Sequence, residues 1–464
     1  MPGSADQPLR VAIVGAGPSA FYAADHLLKQ PGLTVEVDMF DRLPTPYGLV
    51  RFGVAPDHQK IKTVTHSFAE IAAHPRFRFY GCVEFGRDIT LEEIRAHYHQ
   101  VLFATGAQTD RHMGIPGEEL RGSHPATSFV AWYNGHPDYR HCQFDLSQER
   151  AVVVGVGNVA IDVARILCLT AGELTASDMA PHAVEALSRS RIREVHVLGR
   201  RGPAQAAFST PEIKEFGTLA DVDVIMRPEE VALDPLSEAF VDSANDRGLC
   251  RKIELIQAYA AHEPIGRARR VVFRFLVSPV ELLDDGAGAV AGVRVVRNVL
   301  KASGSGSLAA EPTDDMETIP AGLVFRSVGY RGVALPGIPF HDRWGVILNE
   351  RGRVIDPDSQ APVAGEYVTG WIKRGPSGVI GTNKPDSVET VTAMLEDATA
   401  GRTFTPTAPE VEAAEKLVRA NQPRCLTFED WQRLDALELE AGRRCGRPRV
   451  KFTSVDEMLA ALGR

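Results

Sequence analysis

The chain has 464 residues, of which 44% are hydrophobic and 24% charged, with a formal net charge of −9 at pH 7. This composition describes a globular chain of more than one domain and excludes disordered and fibrous classes, while the acidic balance argues against a nucleic-acid partner. Six cysteines (Cys82, Cys142, Cys168, Cys250, Cys425, Cys445) contain no C-x-x-C pair and no metal-ligand spacing. They read as free thiols in a reducing compartment, and neither a zinc site nor an iron–sulfur cluster is expected in the chain itself.

The first strand is predicted from about Arg10, and no apolar run approaches membrane-spanning length, so the expectation is a cytoplasmic protein with no membrane partner. Arg10 to Val14 is an apolar run of buried-strand type, Gly15-Ala16-Gly17 is a turn, and Pro18 to Lys29 has helical spacing with Phe21, Ala24, Leu27 and Leu28 on one face. Gly15 permits the tight turn, Gly17 lets backbone approach a diphosphate, and Ala20 in the third fingerprint position allows helix and strand to pack closely. The diphosphate would sit on the helix N-terminus beyond Pro18. A second strand, "LTVEVDMFD", ends in Asp41, an acid placed to accept hydrogen bonds from ribose hydroxyls.

The same grammar returns at Ala151, with strand "AVVV", turn Gly155-Val156-Gly157, and a helix from Asn158 with Val159, Val163, Ile166 and Leu167 on one face. Its following strand, "REVHVLG", ends in Arg200-Arg201 rather than in an acid. Two guanidiniums there suit a 2'-phosphate through charge-assisted forks, which is the selectivity logic for NADP over NAD. Two dinucleotide sites with opposite ribose chemistry imply FAD in the first and NADPH/NADP+ in the second, with hydride transfer between them. Further on, Arg267, Arg269, Arg270 and Arg274 form the most local basic cluster, a candidate docking face for an acidic partner. The stretch Ala302 to Asp315, "ASGSGSLAAEPTDD", reads as a mobile surface loop.

The segments "LPTPYGLVRFGVAPDHQKIK", "VLFATGAQTDR", "GVGNVAIDVARIL", "GRRGPAQAAF", "FRSVGYRG" and "GWIKRGPSGVIGTNKPDS", taken in order, resemble the adrenodoxin reductase type of NADPH-ferredoxin reductase. The resemblance runs from about Val11 to the end of the chain. It implies an α/β fold of two three-layer, Rossmann-like dinucleotide-binding domains, the NADP domain (109–330) being inserted into a discontinuous FAD domain (1–108 and 331–464). "VLFATGAQ" and "LVFRSVGY" would be the crossovers, each a strand running to a glycine, Gly106 and Gly329, where the backbone must turn.

The resemblance also implies site residues. Trp371 to Ile380 matches the run that contacts the isoalloxazine, with Gly378, Val379 and Ile380 against the ring and a helix beginning near Lys384-Pro385. Leu49 and Val83 match positions near FAD, and Arg111 matches an arginine on the NADP side. His58 matches a histidine beside nicotinamide and flavin, paired in the family with a glutamate that maps to Glu215. Thr210 is expected to cap a helix with Pro211 in its first turn, which puts Glu212 and Glu215 three apart on one face, Glu212 toward the NADP side. Gln59 stands where relatives often have proline, Ser377 where they have threonine, and Pro211 where they have a non-proline residue.

The implied activity is FAD-dependent transfer of hydride from NADPH and single electrons to an iron–sulfur ferredoxin, by a monomer. A flavin disulfide reductase shares the two-dinucleotide plan but needs a redox-active cysteine pair that this sequence does not offer. Two alternatives stay open at this level: an FAD/NADPH monooxygenase or diaphorase-like flavoenzyme, and a flavin-binding redox sensor without turnover.

Overall fold

The computed structural model describes residues 2–303 and 307–464. It forms two compact units, the first comprising Met1–Thr109, His136–Asp138 and Gly329–Arg464, the second Asp110–Gly135 and Tyr139–Val328. His136–Asp138 lie inside the stretch that the sequence assigns as continuous, yet they pack with the first unit. The cause is local: His136 packs against Phe52 with ring centroids 4.8 Å apart and planes tilted by 59°, and Asp138 pairs with Arg42 at 2.7 Å. Burial takes the His136 imidazole down to about 4, so it packs there as a neutral ring.

The first unit is built on a seven-stranded sheet. Its central strand, Leu9–Val14, pairs in parallel with Val35–Asp41 on one side and Gln100–Phe103 on the other. All six of its residues are buried, as expected for a strand covered on both faces. Alternate side chains serve different cores: Leu9, Val11 and Ile13 pack with Ala20, Phe21 and Met394, whereas Ala12 and Val14 pack with Phe40, Phe103 and Ile372. Leu9, Val11, Ile13 and Val14 each contribute roughly 1.5–3 kcal/mol on leaving water. Arg10 is the exception in the strand, and its buried guanidinium is held by Glu36 at 2.7 Å and Asp38 at 2.8 Å.

The second unit carries a six-stranded parallel sheet with Arg150–Val154 between Leu323–Arg326 and Glu194–Leu198. One face, with Val153, Val197 and Phe325, packs on the helix Asn158–Cys168 and its neighbours. The other face, with Val152, Val154 and Val324, is covered by Val277, Val293 and Ile319 of a three-stranded antiparallel sheet. Both units are therefore layered α/β structures of Rossmann type around a parallel sheet.

Two sequence expectations are corrected here. Most of the stretch Ala302 to Asp315 is not a loop: Leu308–Pro320 is a strand that pairs with Val290–Ala302 in a long antiparallel hairpin. Ladder hydrogen bonds override the small and polar composition; residues 304–306 of that stretch lie outside the described residues. The basic cluster lies only partly at the surface: Arg267 and Arg270 are exposed and Arg269 half-buried, but Arg274 is interior. Arg274 is 2% exposed and pairs with Glu230 at 2.9 Å and Glu317 at 2.8 Å. Arg270 is bound to Glu194, and Arg267 donates to the carbonyls of Leu219 and Val222. Arg270 and Arg274 thus meet carboxylates inside the same unit, whereas Arg267 meets only backbone carbonyls.

Candidate functional site

In the first unit the chain leaves the central strand through Gly15, at φ +103°, where a Cβ would stand 2.6 Å from the Ala104 carbonyl oxygen. Gly17 then starts the helix Pro18–Leu28 without any side-chain cap, and a Cβ there would meet no protein atom within 4 Å. The fold itself requires the first glycine, while the second keeps clear a space at a helix end whose first-turn N–H groups face outward. Such an end attracts a diphosphate. Ala20 is fully buried, as close packing of helix on strand demands.

Asp41 ends the neighbouring strand, its carboxylate accepting from the backbone N–H of Ala16 and of Leu43, both at 2.9 Å. Burial raises its pKa despite those donors and the nearby Arg42. A carboxylate has about four acceptor positions, so two remain for hydroxyl groups. Val83 is buried beside it, donating its N–H to the Asp41 carbonyl at 2.9 Å.

Two further segments of the unit meet this turn. Tyr47 donates its N–H to the Ala16 carbonyl at 2.7 Å, and a Cβ on Gly48 would lie 3.1 Å from the Gly17 Cα. Leu49 opens the short helix Leu49–Phe52 immediately afterwards. From the far end of the sequence, Gly370 (φ +78°) abuts Ser19, with a Cβ position 2.5 Å from the serine Oγ, and Ser387 donates its hydroxyl to the Ser19 carbonyl at 2.9 Å. Trp371 begins one helical turn, Trp371–Arg374, and its indole N–H donates to the Ser377 carbonyl at 3.1 Å. Gly378 (φ +79°) and Val379, 57% exposed, form the tip of the following loop, while Ile380 packs against the core. The next helix begins at Asn383, one residue before the expected Lys384, and Asp386 in its first turn accepts the Gly370 N–H at 2.6 Å. His58 is half-buried in the same unit, at the start of the single turn Gln59–Lys62.

In the second unit Gly155 has φ +130°, and a Cβ would stand 2.2 Å from the Ser327 carbonyl oxygen. Gly157 repeats the behaviour of Gly17: it starts the helix Asn158–Cys168 uncapped, and a Cβ there would meet nothing within 4 Å. The intervening Val156 carbonyl accepts from Ala207 and Phe208, each at 2.9 Å, and the Asn158 side chain accepts from the Ser209 N–H at 2.9 Å. Val159 is half-buried against the core. The segment after Arg200-Arg201 is thus folded back over the turn.

The carbonyls of Arg200 and Arg201 are tied down by Asn298 Nδ2 at 2.8 Å and Leu276 N–H at 3.1 Å. Among the described residues neither guanidinium has an acidic partner. Desolvation and the charge of Arg200 lower the Arg201 pKa, the signature of cations held together without an anion. Arg111 follows Asp110, which lies 3.7 Å from Arg326, one residue before Ser327.

Glu212 and Glu215 lie on the helix Thr210–Glu215, the first buried and the second half-buried. The expected cap is corrected: Thr210 is already helical, Ser209 occupies the cap position, and neither side chain caps the helix, Thr210 donating instead to the Gly248 carbonyl at 3.3 Å. Glu215 faces Arg165, a residue that sequence reasoning passed over because its helix reads as plainly apolar there. Tyr47, Gly48, Gly370 and Asp386 were missed too. Only "YG" and "TG" gave any local hint, since these contacts join segments far apart in the chain.

Residues 9–202 match the family described as Pyridine nucleotide-disulphide oxidoreductase. Over 462 residues the chain is 46% identical to NADPH-ferredoxin reductase FprA of Mycobacterium tuberculosis, covering 98% of this chain and 99% of that protein. It is 38% identical over 468 residues to the mitochondrial NADPH:adrenodoxin oxidoreductase of Arabidopsis thaliana, covering 99% and 96%. The solved structure of Mycobacterium tuberculosis FprA in complex with NADPH superposes with a TM-score of 0.92 at 45% identity, over 98% of this chain and 100% of that one.

Proposed function

The chain belongs to the NADPH-ferredoxin reductase family, and from that premise we propose that it is an FAD-dependent oxidoreductase that moves electrons from NADPH to a ferredoxin of the iron–sulfur type. The FAD domain (1–108 and 331–464) is the first unit without residues 109, 136–138 and 329–330, and the NADP domain (109–330) is the second unit together with those residues. The observation that carries this assignment is the contrast between two turns of like geometry: one opens beside Asp41, the other beside an arginine pair with no acidic partner among the described residues.

FAD, when bound, takes up two electrons as hydride and releases them singly, which suits a two-electron donor and a one-electron acceptor. Gly15, Gly17, Pro18 and Ala20 shape the diphosphate cradle, and Asp41 accepts from ribose. Leu49, Val83, Trp371, Gly378, Val379 and Ile380 line the rest of the flavin site. Gly155, Val156, Gly157, Asn158 and Val159 form the NADP turn; Arg200 and Arg201 take the 2'-phosphate, and Arg111 and Glu212 border the nucleotide. His58 and Glu215 orient the nicotinamide or steer its protons. The enzyme works as a cytoplasmic monomer.

The test is dye and cytochrome c reduction by the yellow holoenzyme with NADPH or NADH, with and without ferredoxin, over a salt series. The expected result is NADPH preference, dye reduction without ferredoxin, and salt-sensitive stimulation of cytochrome c reduction by ferredoxin. Bound FAD with no dye reduction would instead mean a redox sensor, and NADPH consumption coupled to hydroxylation would mean a monooxygenase.

A further inference from the structure

Arg165 is about 2% exposed, on the helix Asn158–Cys168, whose residues from Ala160 onward are all buried. A guanidinium taken out of water is costly unless anions meet it. Two do so within the unit: Nη2 donates to Asp162 Oδ1 at 2.8 Å, one turn earlier on the same helix, and Nε lies 3.3 Å from Glu215 Oε2.

Glu215 needs such an explanation. It is the last residue of the helix Thr210–Glu215, the end at which the helix dipole disfavours a carboxylate. The backbone beneath it is fixed by Ile213 and Phe216, both fully buried, and by the Tyr259 hydroxyl, which donates to the Ile213 carbonyl at 3.3 Å. Its side chain is 38% exposed, well above that of Arg165.

We infer that Arg165 is a positioning residue: it aims the Glu215 carboxylate from the same rigid helix that begins at the NADP turn. Arg165 lies eight positions beyond Gly157, about 12 Å along that helix. Nucleotide and carboxylate are thereby referred to one element, and Asp162 holds Nη2, the nitrogen next to Nε, so that the guanidinium does not swing. The inference rests on the proposed role of Glu215 at the nicotinamide.

The experiment is a double-mutant cycle on the holoenzyme, with Arg165→Lys and Glu215→Gln singly and together, read as kcat and KM for NADPH-dependent ferricyanide reduction. Lysine keeps the charge but not the planar fork that serves two acids. Arg165→Lys is expected to lower kcat about tenfold with KM changed less than about twofold, and to have almost no effect in the Glu215→Gln background. FAD content and thermal midpoint are measured on every variant, and Arg165→Gln is a second probe should the lysine variant fold poorly. If Arg165→Lys lowers kcat equally in both backgrounds, its role is structural and the inference fails. If Glu215→Gln itself leaves kcat unchanged, the role assigned to Glu215 fails, and the positioning role with it.

Discussion

Arg51 and Glu438 lie 387 residues apart in the chain and form a two-pronged ion pair at 2.5 and 2.9 Å with both side chains almost wholly buried. Glu438 also accepts from Arg449 at 3.0 Å and from the Phe452 N–H at 2.9 Å. This carboxylate ties the C-terminal segment to the short helix of Leu49.

Removing one partner of a buried pair strands the other charge. Glu438→Gln is therefore expected to destabilise the first unit by about 3–5 kcal/mol and to lower its melting temperature. Burial alone would raise the Glu438 pKa, but Arg51 and Arg449 overcome burial and hold it below the ordinary range. A depressed folded value means that the stabilisation is complete above the unfolded carboxylate pKa of about 4.3 and is lost as pH falls through the folded value. Melting curves from pH 7 to pH 3 check this: the gap between wild type and Glu438→Gln should be flat above about pH 5 and narrow below it.

The role proposed for Arg200 and Arg201 is the preference for NADPH over NADH. Replacing both with alanine is expected to raise the NADPH KM by about 10- to 100-fold, from lost charge-assisted hydrogen bonds, with the NADH KM changed only slightly. Steady-state kinetics with both nucleotides decide it, and equal losses would mean that the arginines do not meet a 2'-phosphate.

The paired glycines of the second turn make opposite predictions. Gly155→Ala drives a Cβ to 2.2 Å from the Ser327 carbonyl oxygen at positive φ and should lower the melting temperature. Gly157→Ala meets no protein atom, so it should melt like wild type yet bind NADPH at least about tenfold more weakly, because the methyl group would occupy the space proposed for the diphosphate. Calorimetry and NADP+ titration separate the two effects.

Asp41→Ala leaves the Ala16 and Leu43 N–H groups without their acceptor and removes the proposed ribose contact. The purified variant should lose most of its FAD on dialysis, a cost of about 1–3 kcal/mol per stranded group. The flavin-to-protein absorbance ratio measures it, and a fully yellow variant would remove Asp41 from the flavin site.

Both glycine turns were legible in the sequence because the requirement is local: Gly15 and Gly155 are forced by carbonyls that follow parallel strands, within a few residues of a repeated pattern. The Rossmann layering follows from the same strand and helix periodicities. Long-range neighbours were not legible. Nothing near Arg274 in sequence announces Glu230 or Glu317, so a basic run looked like surface when it is partly interior. The hairpin strand Leu308–Pro320 was hidden by polar, small residues, since its order comes from a partner strand rather than from its own pattern. Arg165 was invisible for the converse reason: an apolar stripe suggests an apolar interior, and of the two counter-charges that permit an arginine there only Asp162 is near in sequence, Glu215 lying fifty residues on.

The packing of His136–Asp138 with the first unit means that the polypeptide changes unit at four places, 109/110, 135/136, 138/139 and 328/329. A genetic exchange of the second unit between homologues, cut at the outer pair of joints alone, would therefore import a foreign residue opposite Arg42 and a foreign ring against Phe52. Chimeras that retain this tripeptide from the recipient keep the graft compatible with its host.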